Sequence, residues 1–178
     1  MKHTIRRLNM GEADLYRHVR LESLKESPEA FAASYESALS RDYDSWAVQA
    51  DASASGRDRA TFIVLGDQPI GLAALYRDQS FPHEGELIQV WVSPCCRGSR
   101  TAIDLMDTIF NWASCHGFAS IRAEVAHHNL RALRFYEKYG FVGITGAGES
   151  VCILTKGVEG SEGLLSSANC NATTNKDR

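Results

Sequence analysis

The sequence predicts an α/β (α+β) fold: a single domain in which helices cover both faces of a β-sheet. Three observations indicate this class. Apolar, β-branched runs alternate along the chain with segments of helical periodicity. Clusters of glycine, proline and other turn residues separate these segments. The length of 178 residues suits one ordinary domain with a single buried core. Strands and helices interleaved in this way pack as layers.

The first elements are a strand and a helix. Alternating apolar and polar residues predict a strand over His3–Leu8, and the segment after Gly11 can start a helix that runs to about Glu26. The residues expected to face the core from this helix are Leu15, Val19, Leu21 and Leu24. Ser27 and Pro28 then break it.

Two further helices are predicted before the first hairpin. Pro28 suits the first turn of the second helix, and a third is expected over Asp42–Asp51. The second should present Phe31, Tyr35 and Leu39, and the third Trp46 and Val48. The small, polar residues 52–59 indicate a loop.

The middle of the chain predicts a hairpin followed by another strand. Thr61–Leu65 and Ile70–Tyr76 are apolar and β-branched, and the turn residues 66–69 join them. Residues 79–85 form a second turn region, which leads into the strand Glu86–Val92.

The second half predicts two helices and three strands. A helix from Arg97 should end at Gly117, and its apolar face consists of Ala102, Met106, Ile109, Phe110 and Ala113. The elements expected after it are the strand Ile121–Ala126, the helix Asn129–Tyr139 closed by Gly140, and the strands Phe141–Thr145 and Ser150–Thr155. We expect residues 1–157 to form the domain and residues 158–178, poor in apolar side chains, to be a disordered tail.

Composition excludes several classes of function. A net charge of −3 and a pI near 6.1, with no cluster of Lys and Arg, disfavour a nucleic-acid partner. No apolar run is long enough for a signal peptide or a membrane span, so we expect a cytoplasmic protein. The five cysteines lack metal-ligand spacing, and we expect no metal.

The segment from Leu87 to Ala102 carries the first functional signal. An apolar strand stops at Pro94, and Arg97, Gly98 and a helix follow at once. A helix that opens on a glycine-containing turn offers unpaired backbone N–H groups and the positive end of its dipole. Such a site suits a pyrophosphate, although the same pattern also occurs in purely structural turns.

A second motif about thirty residues later strengthens the functional interpretation. Together the two segments resemble the GNAT superfamily of N-acetyltransferases, whose acetyl-CoA loop reads Q/R-x-x-G-x-G/A and whose later helix reads N-x-x-A-x-x-x-Y-x-x-x-G-F. In the loop, Arg97 takes the first place and Ala102 the last, while Arg100 stands at the usual middle glycine. The helix motif matches at Asn129, Ala132, Tyr136, Gly140 and Phe141. If φ of Arg100 is negative, a side chain there costs little.

The resemblance implies a fold and a co-substrate. It implies a mixed, splayed sheet of about seven strands, with acetyl-CoA between the fourth strand, Glu86–Val92, and the fifth, Ile121–Ala126. The residues that it assigns to the co-substrate are Val90, Trp91, Val92, Arg97, Gly98, Ser99, Arg100, Thr101, Ala102, Asn129 and Tyr136. Asn129 is also a natural helix cap.

The resemblance also assigns the general acid. It puts the Tyr136 hydroxyl near the thioester sulfur, where a phenol can protonate the departing thiolate. Among the candidate bases, which also include His128 and Glu36, we rank Glu86 first and His127 second. The alternative for Tyr136 is a structural role in which its ring packs in the core. The alternative for each candidate base is a structural role as an exposed or ion-paired side chain.

The resemblance implies an acyltransferase that moves an acetyl group to an amine, most simply that of a small molecule. A protein N-terminal or lysine acetyltransferase and a catalytically degenerate acyl-CoA-binding module remain as alternatives, and a homodimer is left open. An acidic rim could attract a cationic acceptor, because one cation, Arg41, accompanies five acidic residues between positions 28 and 51. These are Glu29, Glu36, Asp42, Asp44 and Asp51.

Overall fold

The computed structural model describes residues 3–144 and 150–160 as a seven-stranded sheet flanked by helices. The strands are β1 (Thr4–Arg7), β2 (Arg59–Leu65), β3 (Pro69–Arg77), β4 (Glu84–Val92), β5 (Ser120–Ala126), β6 (Val142–Gly143) and β7 (Val151–Gly157). The helices are α1 (Ala13–Glu26), α2 (Tyr35–Leu39), α3 (Tyr43–Ala54), α4 (Thr101–Cys115) and α5 (Leu130–Tyr139), with short 3₁₀ turns at Pro28–Ala30 and Pro94–Cys96.

The sheet is mixed, as predicted. Its strand order is β1-β2-β3-β4-β5-β7-β6. Strands β1 to β4 form an antiparallel meander, β4 and β5 are parallel, and β7 is antiparallel to both β5 and β6. The parallel pair requires a crossover connection, which α4 provides.

Each face of the sheet has its own core, which confirms the predicted fold class. Helices α1 and α3 cover one face, where Tyr16 and Trp46 pack against Leu72. Helix α4 covers the other face, where Met106 packs in a cluster that includes Leu75. Residues that alternate along each strand therefore belong to opposite cores.

Strands β4 and β5 pair along only part of their length. Their parallel register runs from Glu84↔Ser120 to Leu87↔Ala123 and ends there. Opposite β3, the register of β4 shifts in the same region, and Gln89 within this bulge has a φ of +59°. The sheet is therefore splayed between its fourth and fifth strands, as the resemblance implied.

The second and third helices of the N-terminal half differ from the prediction. The predicted second helix is divided, because Phe31 is extended and Ser34 caps a new helix, α2, by accepting the Ser37 N–H. The third helix continues to Ala54, so the expected loop shortens, and Val48 is 70% exposed instead of core. Trp46 is buried as predicted.

The core face of α1 is also rotated relative to the prediction. Its buried residues are Ala13, Tyr16, Val19, Arg20, Ser23 and Leu24. Leu15 and Leu21 are only partly buried. The prediction is therefore confirmed for Val19 and Leu24, whereas Tyr16 and Arg20 are buried in place of Leu15 and Leu21.

Boundaries differ slightly in the second half. Strand β4 starts at Glu84, two residues before the expected start, and α4 starts at Thr101, after a turn that begins at Pro94. Val158 is buried and its N–H donates to Ala119 O at 2.8 Å, so packing extends just past residue 157. Thr145 and most of the predicted tail, residues 161–178, lie outside the described residues.

Candidate active site

The β4–α4 connection is a tight turn held by its own hydrogen bonds. The Cys96 N–H donates to Ser93 O at 2.9 Å, and the Ser99 hydroxyl donates to Cys96 O at 2.6 Å. The Thr101 N–H in turn donates to Ser99 Oγ at 3.3 Å. Gly98 has a φ of +78°, a conformation that favours glycine.

This turn leaves a set of backbone donors unpaired at the start of α4. Within residues 3–144 and 150–160, no acceptor contacts the N–H groups of Gly98, Ser99, Arg100, Ala102 and Ile103. The positive end of the dipole of a fifteen-residue helix adds to them. The arrangement can bind an anion such as a pyrophosphate.

Arg100 fits the turn without strain. Its φ is −72°, an ordinary right-handed value, although the resembling loop has glycine at this place. Its side chain is 69% exposed and its Nε lies 3.5 Å from an Asp104 carboxylate oxygen. Arg100 therefore does not distort the loop.

The Arg97 side chain is engaged on the protein instead of projecting freely. Its Nη1 donates to Glu26 Oε1 at 3.0 Å and its Nε to Val92 O at 3.0 Å. Glu26 also accepts the Trp91 indole N–H at 2.9 Å. One carboxylate at the end of α1 thus ties together the end of β4 and the loop.

The three β4 residues assigned to the co-substrate lie where the strand has separated from β5. Val90 and Val92 pack in the core under α4, whereas Trp91 packs in the core under α1 and α3. Their positions follow the last paired residue, Leu87, so one edge of the strand is not bonded to β5. An extended ligand can add to such an edge.

Helix α5 positions Asn129 and Tyr136. Asn129 caps the helix by accepting the Ala132 N–H at 3.2 Å, and Gly140 ends it at a φ of +102°. The Tyr136 ring, 6% exposed, packs edge-on against Phe141 with 5.1 Å between ring centroids. Burial raises the pKa of the Tyr136 hydroxyl, so this group stays protonated at neutral pH.

The candidate bases occupy different places. Glu86 is partly buried on β4, next to Tyr76 of β3 and Arg122 of β5 in the strand register. His127 follows β5, but its Nδ1 lies 3.0 Å from Cys152 Sγ on β7, away from β4. Glu36 is exposed on α2. Of the three, only Glu86 belongs to the splayed pair of strands.

Sequence reasoning missed three polar residues of this region. The Tyr16 hydroxyl donates to Gln89 Oε1 at 3.0 Å, which links α1 to the bulge of β4. Arg20 lies one helical turn beyond Tyr16 on the same buried face. The available signal was the Tyr16–Arg20 spacing of four residues, which hydrophobicity alone does not register.

The described residues offer neither a metal site nor a membrane-spanning helix. In the part of the chain that the structure describes, no group of three His, Cys, Asp or Glu side chains could hold a metal ion. None of the described helices has the length and apolar character needed to span a membrane.

Comparisons with known proteins point to one family. Residues 21–141 match the model of the acetyltransferase (GNAT) family. A comparison with curated proteins finds no significant match.

Solved structures share the fold. An acetyltransferase of the GNAT family from Streptococcus pneumoniae has a TM-score of 0.74 at 16% identity, covering 88% of this chain and 99% of that one. The PaiA N-acetyltransferase of Thermoplasma acidophilum, solved in complex with coenzyme A, has a TM-score of 0.72 at 21% identity and the same two coverages. The GNAT domain of PAT from S. lividans has a TM-score of 0.68 at 19% identity, covering 86% and 89%.

Proposed function

Because the chain belongs to the GNAT family of acetyltransferases and is thus an N-acetyltransferase, we propose that it transfers acetyl from acetyl-CoA to the primary amine of a small molecule. The observation that carries the proposal is the row of five unpaired N–H groups at the start of α4, beside the open end of β4 and β5. A phosphate chain and an extended thioester arm need such neighbouring sites.

The proposed co-substrate contacts follow from this geometry. The pyrophosphate binds the turn from Gly98 to Ala102, and the pantetheine arm runs along Val90–Val92. The coenzyme A bound to the Thermoplasma acidophilum protein supports this class of ligand. Arg97 contributes by shaping the loop through Glu26, and Asn129 by holding the start of α5.

The proposed reaction is direct attack on the thioester. The neutral amine forms a C–N bond at the carbonyl carbon and the C–S bond breaks. We assign to the Tyr136 hydroxyl the proton that the leaving thiolate takes up. Backbone N–H groups at the β4 bulge stabilise the developing oxyanion.

Glu86 is the base that we propose, because its strand forms one wall of the splay. It removes the proton that the acceptor nitrogen must lose, directly or through a water molecule. His127 is the less favourable candidate, since its ring contacts Cys152 on the far side of β5.

Two observations support turnover of a small acceptor over the alternatives. The alternative of a degenerate binding module depended on Arg100 in place of the usual loop glycine, and the negative φ of Arg100 shows that the loop accommodates this side chain. A cavity of about 290 Å³, lined by both apolar and charged side chains, lies between the end of α1 and residues 28–36; it contains none of the residues proposed for catalysis, and its volume is suited to a small molecule.

A matched pair of glycine variants tests co-substrate binding. Gly98 and Gly117 both have a φ of +78°, and a Cβ added at either position would have no atom within 4 Å. They differ in place, because Gly98 lies before α4 and Gly117 after it. Saturating acetyl-CoA should stabilise the wild type by roughly 2.7 kcal/mol at a hundred-fold excess over its Kd.

Gly98→Glu should abolish this stabilisation, since it places a carboxylate among the unpaired N–H groups. Gly117→Glu should lose similar intrinsic stability yet keep the full acetyl-CoA effect. Thermal melting with and without acetyl-CoA measures both. No effect of millimolar acetyl-CoA on the wild type would overturn the proposed function.

A further inference from the structure

Arg20 is an arginine buried in the core face of α1. It is 7% exposed, and its guanidinium lies over the Phe31 ring at 4.4 Å. Its one hydrogen bond to a described residue runs from Nη1 to Ser23 Oγ at 3.2 Å. A guanidinium carries five N–H donors, so most of its capacity is unused.

A second arginine, Arg41, is linked to Arg20 through two rings, because Trp46 packs edge-on against Tyr16, one helical turn before Arg20, with 5.4 Å between ring centroids. Arg41 stacks on the Trp46 ring at 4.1 Å and donates to Gln49 Oε1 at 2.9 Å. Burial lowers the pKa of Arg20, and the nearby charge of Arg41 adds to that lowering. The two cations therefore repel each other, and of the two Arg20 is the buried one and Arg41 is half-buried.

No carboxylate balances this pair. Among the described residues, no Asp or Glu oxygen lies within 4.0 Å of either guanidinium, whereas Arg6, Arg77 and Arg97 each have such a partner. Burying a charge without a counter-charge is unfavourable. An anion bound here would remove that cost.

The unused donors are also reachable. Among the described residues, the fully enclosed side-chain atoms without a hydrogen-bond partner are Trp46 Nε1, Ser53 Oγ, Thr61 Oγ1 and Asp104 Oδ1, and no atom of Arg20 or Arg41 is among them. Phe31, which carries the Arg20 guanidinium on its ring, also lines the cavity of about 290 Å³.

The location connects this pair to the reacting centre. Tyr16, one turn before Arg20 on α1, donates to Gln89 in the β4 bulge at 3.0 Å. Side chains four residues apart on a helix have Cβ atoms roughly 5–6 Å apart. An anion held by Arg20 would thus lie one helical turn along α1 from the contact between Tyr16 and the bulge.

We propose that Arg20 and Arg41 form an anion subsite that binds a carboxylate of the acceptor, so that the acceptor is an amine bearing a carboxylate, such as an amino acid. Guanidinium groups suit carboxylates because they can donate two parallel hydrogen bonds. This inference rests on the proposed function and specifies its acceptor class.

The carboxylates of the acidic rim expected from the sequence are not buried beside the two arginines, although Glu36 lines the cavity together with Lys25. Asp42 accepts the Ser45 N–H at 2.8 Å and Asp51 accepts the Gly11 N–H at 2.8 Å, so these two carboxylates hold the backbone. Glu29, Glu36 and Asp44 are exposed. The buried charge on this face is positive, which favours an anionic group on the acceptor.

Matched pairs of acceptors provide the test. The common amino acids and short ω-amino acids are each compared with their carboxamides, which keep the amine and lose the negative charge. Thiol release from acetyl-CoA and the mass of the product report turnover. We expect at least one amino acid to exceed its carboxamide tenfold or more in kcat/KM.

Variants then test whether Arg20 and Arg41 cause the preference for amino acids over their carboxamides. Arg20→Gln should raise KM for that amino acid at least tenfold while its carboxamide changes less than twofold, and Arg20→Lys should restore part of the loss. Arg41→Gln, at a half-buried position, gives the same direction if Arg20→Gln folds poorly. Arg17→Gln, which removes a charge from the same helix, is the matched control and should have no such effect.

The outcomes separate the two proposals. The anion subsite would be overturned if carboxamides were acetylated as efficiently as the amino acids, or if Arg20→Gln lowered kcat/KM equally for both kinds of acceptor. Either result would leave the proposed acetyltransferase function intact. If no amine turns over, N-acetyl amino acids with CoA should still raise the melting temperature of the wild type but not of Arg20→Gln; no shift in the wild type overturns the subsite. A wild type that acetyl-CoA does not stabilise overturns the proposed function itself.

Discussion

Glu26, at the C-terminal end of α1, and Arg97, in the β4–α4 loop, form an ion pair that joins two distant parts of the chain. The same carboxylate accepts the Trp91 indole N–H. Burial alone would raise the pKa of Glu26, but hydrogen bonds from Arg97, Ser27 and Trp91 outweigh it and lower the pKa to about 2. The pair therefore holds the β4–α4 loop to the end of α1.

The first prediction concerns acid stability. A carboxylate whose pKa falls from its ordinary value of 4.5 to about 2 on folding stabilises the protein above about pH 4.5, and this contribution is lost as pH falls toward 2. Glu26→Gln should therefore lower the free energy of unfolding most at pH 6, with the difference from wild type shrinking below pH 4.5. Denaturant titrations from pH 6 to 2.5 measure it.

Glu22→Gln is the control for this experiment. Glu22 is exposed on the same helix and has no ion pair with a described residue, so its removal should have little effect at any pH. A difference between Glu26→Gln and wild type that stays constant across this pH range would contradict the assignment.

The second half of the chain was largely predictable from sequence. Local sequence preferences there agree with the fold, because Pro94, Gly117 and Gly140 mark the ends of elements whose apolar periodicity is clear. The capping role of Asn129 followed from its place before a helix and is confirmed. The loop and helix motifs lie in this half, and the family resemblance rests on them.

The region formed by α1, α2 and the β4 bulge could not be predicted in the same way. Phe31 and Ser34 interrupt the expected second helix because a side-chain cap competes locally with helix continuation. Arg20 is buried over an aromatic ring 11 positions away, a contact that periodicity cannot indicate. The positive φ of Gln89 depends on the bulge between β3 and β4, a tertiary feature.

The second prediction tests the proposed acid. Tyr136→Phe keeps the ring that packs on Phe141 and removes only the hydroxyl, so the Kd for acetyl-CoA should change little. Turnover with an established amine should fall by on the order of a hundred-fold, the range of one positioned acid. Steady-state kinetics at saturating acetyl-CoA measure the loss.

Tyr139→Phe provides the matched comparison on the same helix. The Tyr139 hydroxyl donates to Asp107 Oδ1 at 2.8 Å on the surface, so this variant should lose about 1 kcal/mol of stability and keep its turnover. Equal turnover in the two variants would remove Tyr136 from the mechanism.

The third prediction concerns the base. Glu86→Gln should lower kcat at neutral pH by on the order of 10²-fold, and the loss should diminish at high pH, where the acceptor amine is already neutral. His127→Gln should change kcat by less than about threefold, because its ring contacts Cys152 on β7. A larger loss in His127→Gln than in Glu86→Gln would reverse the assignment.

The last prediction concerns the bulge itself. Gln89, with a φ of +59°, is the one non-glycine residue at positive φ in the described part of the chain, and its side chain accepts the Tyr16 hydroxyl. Gln89→Ala and Gln89→Gly both lose that hydrogen bond, worth about 1 kcal/mol. They differ in the backbone, because a left-handed conformation costs a non-glycine residue roughly 1–2 kcal/mol.

Gln89→Gly should therefore be more stable than Gln89→Ala by about 0.5–1 kcal/mol. Glycine avoids the cost of the left-handed conformation, but its greater freedom in the unfolded chain offsets part of that gain. The same pair of changes at Gln68, in the β2–β3 turn, should give the opposite order, because φ there is not positive. Denaturant unfolding of the four variants measures both orders. If alanine is the more stable replacement at both positions, the bulge does not hold Gln89 in a left-handed conformation, and the backbone geometry proposed for the oxyanion site loses its support.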